Sequence, residues 1–155
     1  MKMIKMVIVM CCVRVVTFAG DTNFVAQFNA IWQTHNASNI LMFVEQNVAT
    51  NKSPETLFAR GSVSGMLQGW TIGTTNYWEQ AINIISTNTV YSESEKGNVI
   101  KEIRGLQSLM TVMPADPQPS WNTARHAAFF AEVGDEAPFL DTLKKISTIE
   151  SAKTQ

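Results

Sequence analysis

The chain has 155 residues, with 12 Lys and Arg against 13 Asp and Glu for a formal net charge of −1, and 45% of its residues are hydrophobic. That length favours one domain over two and is enough to build a hydrophobic core. The chain has no basic run, and without its basic N-terminal segment it is mildly acidic, which makes it a poor nucleic-acid binder.

Residues 1–19 read as a separate segment. Lys2 and Lys5 give a basic start, an apolar run follows from Met6 to Val16, and Thr17-Phe18-Ala19 places small residues at the −3 and −1 positions. This is the three-part pattern of a cleavable secretory signal. Arg14 interrupts the apolar stretch, where charge is costly in a bilayer. The alternatives are a retained N-terminal anchor and, through Cys11 and Cys12, a lipoprotein, although Met10 stands where a lipoprotein wants a small residue. Cleavage removes Lys2, Lys5 and Arg14, leaving 9 basic residues against 13 acidic and a net charge of −4. Both cysteines leave as well, so the remaining domain has no disulfide in a compartment that permits them. The expectation is an exported protein, periplasmic or secreted, with no membrane association after cleavage.

From residue 20 to residue 150 helical periodicity dominates. Phe24, Phe28, Ile31 and Trp32 share one face of a first helix, which gives way to His35-Asn36-Ala37-Ser38. A second carries Ile40, Leu41, Val44 and Val48 and stops before Asn51-Lys52. Ser53-Pro54-Glu55 then combines a capping hydroxyl, a first-turn proline and an acid that complements the helix dipole. The third helix is predicted from Pro54 to about Ile72.

The fourth is predicted to begin near Thr75-Asn76, with Tyr77, Trp78, Ala81, Ile82 and Ile85 facing inward. Ser92-x-x-Glu95 is a capping-box pattern opening the fifth, along which Val99, Ile103, Leu106, Met110 and Met113 repeat at helical spacing. Pro114, Pro117 and Pro119 end it, since proline cannot donate a helical hydrogen bond. An alanine-rich sixth helix is predicted over Asn122–Val133, stopping at Gly134. Asp135 caps a seventh with Phe139, Leu140, Leu143 and Ile146 inside, and residues 151–155 form a frayed tail. The expected fold is all-α: about seven helices in antiparallel hairpins, stacked as a short α-solenoid or closed as a bundle.

Two segments, Trp78-x-x-Ala81-x-x-x-Ile85 and Trp121-x-x-Ala124-x-x-x-Ala128-x-x-Ala131, resemble the second helix of a tetratricopeptide repeat, and Gly69 stands where that repeat places a first-helix glycine. The resemblance covers roughly half of the chain after the signal. It implies stacked helical hairpins used for binding.

Among candidate functional features, Gly61, Gly65, Gly69 and Gly73 recur every fourth residue. An interior helical glycine costs about 1 kcal/mol relative to alanine, so the tract needs an offsetting contact. Close packing against a neighbouring helix provides one; a groove admitting a ligand, or a break in the helix, are the alternatives. Trp70, Tyr77, Trp78 and Trp121 are the candidate partner-binding aromatics, because Trp and Tyr bury area while keeping a polar handle. Core packing competes for Trp32, Trp70 and Trp78.

The two histidines, His35 and His126, have no ligand partners at metal-binding spacing. Glu132, Asp135 and Glu136 cluster at a helix junction and suit capping. There is no nucleophile elbow and no phosphate-binding glycine loop. Asn36-Ala37-Ser38 is a glycosylation acceptor pattern. The reading is a non-enzymatic protein- or peptide-binding module without a cofactor. A small helical enzyme using Glu132 or Glu136 with His126, or a structural bundle that self-associates, are the alternatives.

Overall fold

A computed structural model describes residues 24–68, 72–111 and 139–151. Six helices and no strand occur among the described residues. They are α1 (Phe24–Trp32), α2 (Ala37–Thr50), α3 (Pro54–Gln68), α4 (Ile72–Thr87), α5 (Glu93–Thr111) and α6 (Phe139–Ser151). The predicted helix over Asn122–Val133, its stop at Gly134 and the Asp135 cap lie outside the described residues, as do the signal segment and residues 152–155.

The helix starts follow from local chemistry. Asn36 caps α2 through its side-chain oxygen, which accepts from the Asn39 N–H at 3.1 Å. It is preceded by His35 at φ 51°, a left-handed residue that lets the chain reverse after α1. Ala37 and Ser38 therefore belong to α2 rather than to the polar stretch that ends α1. Ser53 Oγ accepts from the Thr56 N–H at 3.3 Å at the start of α3, while Thr56 Oγ1 donates to Asn51 O at 2.7 Å. The capping box of α5 is reciprocal. Ser92 Oγ accepts from the Glu95 N–H at 3.2 Å, and Glu95 Oε2 accepts from the Ser92 N–H at 2.9 Å.

One boundary is corrected. The third helix was expected to reach Ile72 and the fourth to start at Thr75, but Ile72 and Gly73 already belong to α4. The fourfold glycine spacing looks like one helical face in sequence, although Gly61 and Gly65 sit on α3 and Gly73 on α4.

The core lies around α3, which packs against α1, α2, α4 and α6. Its Leu57, Phe58, Ala59, Val63 and Leu67 are all buried, pointing to more than one side of the helix. The flanking helices bury single stripes instead: Ile40, Leu41, Val44 and Val48 on α2, and Trp78, Ala81, Ile82 and Ile85 on α4. Helix α6 packs against α1, α3 and α5. Its Phe139 ring meets Trp32 and Phe28 edge-on at 5.1 and 5.9 Å, bringing the last described helix back onto the first.

A polar tie crosses the surface at each successive helix pair from α2 to α6. Arg60 bonds Glu45 at 2.9 Å and lies over the Tyr77 ring at 5.4 Å. Arg104 donates to Glu79 through both terminal guanidinium nitrogens, Nη1 and Nη2, and Gln107 Nε2 donates to the same carboxylate at 3.0 Å. Lys145 reaches Glu102 at 2.7 Å. The Arg104–Glu79 and Lys145–Glu102 pairs are exposed enough that each contributes little to stability, ~0–1 kcal/mol.

Candidate functional site

The described residues among the sequence-derived candidates, Gly61, Gly65, Gly73, Tyr77 and Trp78, lie on α3 and α4. Gly61 is buried there, and a Cβ at this position would stand 2.5 Å from Trp78 Cδ1, 2.8 Å from its Nε1 and 3.0 Å from Thr74 O. The missing side chain is what lets the indole lie flat on the α3 backbone. Trp78 is 1% exposed, stacks on Phe58 at a centroid distance of 5.4 Å, and donates through Nε1 to Phe58 O and Ser62 Oγ at 3.1 and 3.2 Å. Its polar handle is thus satisfied inside the fold. Of the two roles weighed for Trp78 in the sequence, its burial, stacking and hydrogen bonds correspond to core packing.

Tyr77 is half-buried beneath the Arg60 guanidinium, so its ring also serves the seam between helices. Gly65 is buried and Gly73 exposed. Trp70, Gly69 and Trp121 lie outside the described residues, as do His126, Glu132, Asp135 and Glu136. His35 sits exposed in the α1–α2 turn. Among the described residues, no three His, Cys, Asp or Glu side chains come together as a metal site.

An open groove lies elsewhere, between α5 and α6. It has a volume of about 670 Å³ and is lined by Glu95, Asn98, Val99, Lys101, Glu102, Lys145, Thr148 and Ile149. Val99 and Ile149, both nearly buried, supply its apolar floor, while carboxylates and ammonium groups form its rim. The rim is partly neutralised from within. Glu102 Oε1 accepts from Lys145 Nζ at 2.7 Å, and Glu102 Oε2 lies 3.5 Å from Thr142 Oγ1. The Glu95 carboxyl is held below the usual glutamate range by its hydrogen bonds from the Ser92 hydroxyl and backbone N–H. It therefore stays ionised through mildly acidic conditions.

Lys101 is exposed and pairs with no carboxylate among the described residues. A surface of this kind offers an apolar strip flanked by both signs of charge, which suits a peptide or helix better than a small polar substrate. The sequence reading missed the groove. Its two walls are separated by some forty residues of chain, and the one motif that touches it, the capping box at Glu95, signals a helix start rather than a groove. The signal that existed was the polar outer face of α5, where Glu95, Asn98 and Lys101 recur every third residue.

Compared with protein-family models, curated proteins and solved structures, the chain matches none.

Proposed function

We propose that this chain is an exported, non-enzymatic protein- or peptide-binding module that docks its partner in the α5–α6 groove. The observation that carries the reading is the groove itself, with its apolar floor at Val99 and Ile149 and the unpaired Lys101 on its rim. Export rests on the pattern of Lys2, Lys5, the apolar run to Val16 and Thr17-Phe18-Ala19. It is compatible with the finding that no helix among the described residues is long and apolar enough to cross a membrane. The helices are read as a closed bundle. Support comes from the return of α6 onto α1, since in an open superhelix the last hairpin would contact only its neighbour.

The test has two parts. N-terminal sequencing of the exported product is expected to begin after Ala19, and an intact Met1 would remove the signal-peptide reading. A photo-crosslinker placed at Asn98 is expected to capture a protein or peptide, while the same crosslinker at Gln46, on the exposed face of α2, does not. Equal capture at both positions, or at neither, would defeat the docking proposal.

A further inference from the structure

We infer that the occupant of the α5–α6 groove is a second copy of this chain, with the two α5 helices crossing antiparallel about a two-fold axis at Asn98. This rests on reading the groove as a protein-docking surface and names the partner. In an isologous contact, residues equally far before and after the axis face each other, and every contact occurs twice. Centred on Asn98, that symmetry brings Glu95 of one copy to Lys101 of the other, in both directions. All three residues line the groove.

The charge pattern is self-complementary at this centre. Glu95 and Lys101 are opposite charges three residues either side of Asn98, and Lys101 has no carboxylate partner among the described residues. Asn98 is exposed, and its amide offers both a donor and an acceptor, so two copies meeting on the axis can satisfy each other. The remaining charges on the rim, Glu102 and Lys145, are already paired to each other at 2.7 Å and leave no unmatched charge to repel the second copy.

The shape of α5 agrees with the same axis. Gly97 lies in the helix interior, is exposed, and a Cβ there would meet nothing within 4 Å. No contact among the described residues calls for glycine at this position, whereas a helix crossing at Asn98 uses the room. Gly105 is open in the same way.

Sedimentation of the 155-residue chain from about 1 µM to about 1 mM is expected to show a monomer–dimer equilibrium that weakens as salt rises. Lys101→Glu converts two attractions into two repulsions and should raise the dimer Kd at least about 10-fold. Glu95→Gln keeps the capping box, for which glutamine also serves, and should weaken the dimer by less. With Cys11 and Cys12 replaced by serine, Asn98→Cys should form an interchain disulfide on air oxidation, while Gln46→Cys should not. All three charge and control positions are exposed, and circular dichroism verifies that each variant folds. A monomer at every concentration, or a dimer indifferent to Lys101→Glu, overturns the inference. A monomer whose position-98 crosslinker still captures another protein overturns self-association alone and leaves the docking reading standing.

Discussion

Replacing Gly61 by alanine isolates the contact on which the α3–α4 seam depends. In an unencumbered helix interior the change would stabilise by about 1 kcal/mol. Here the new methyl would lie 2.5 Å from Trp78 Cδ1 and 3.0 Å from Thr74 O. Neither neighbour is the free end of a flexible chain: one atom belongs to a ring stacked on Phe58 and the other to the α4 backbone. Overpacking of this kind costs ~1–3 kcal/mol. Shifting the indole also weakens its bonds to Phe58 O and Ser62 Oγ, each contributing about 1 kcal/mol. Set against the gain in helix propensity, the net expectation is a loss of about 2–3 kcal/mol.

Urea denaturation followed by circular dichroism measures the effect, with Gly105→Ala as control because its Cβ would meet nothing within 4 Å. The control should be stabilised by up to ~1 kcal/mol. Trp78→Phe should recover part of the loss in the Gly61→Ala background, a coupling readable from the double-mutant cycle. Should Gly61→Ala prove as stable as the parent, close approach would not be the reason for glycine at this position.

Three further expectations follow from the same geometry. Phe139→Ala removes the ring that joins α6 to Trp32 and Phe28, and should cost ~3–5 kcal/mol, with amide exchange in α6 accelerating before that in α3; unchanged α6 protection would contradict the account of how that helix is held. Glu79 is held below the ordinary glutamate value of 4.5, first by its hydrogen bond from Arg104 and then by that from Gln107. Its contribution is therefore full above the unfolded value and lost as pH falls through the lower folded one, so parent and Glu79→Gln stability curves should be separated above pH 4.5 and converge as the pH falls below it. The separation should be small, since both partners are more than a third exposed and screened by solvent. Ser92→Ala removes the hydroxyl that lowers the Glu95 carboxyl, and its titration by NMR should move back up towards 4.5; a titration that does not move would mean the capping box is not what sets it.

How much of this was legible beforehand varies by element. Ser53-Pro54-Glu55 and Ser92-x-x-Glu95 located two helix starts correctly, because a cap is a contact between residues three apart and needs no tertiary partner. The stripes on α2, α4 and α5 were equally readable, since helical spacing alone decides which side chains share a face. The α3–α4 boundary was not. Glycines at a constant interval of four prolong a helical pattern on paper, and nothing local marks where the chain turns back.

The sequence by itself therefore determined that this protein is helical, where several of its helices begin, and which side chains leave water, for all of these are settled within one turn of a helix. Only the tertiary structure decided that Trp78 spends both its ring and its N–H inside the fold, because Gly61 lies seventeen residues before it in the chain. It likewise decided that α6 returns to α1 and that α5 and α6 leave a groove between them. Those outcomes depend on which faces meet, and the energy that selects them is spread over burial between helices far apart in sequence, with no single spacing to announce it.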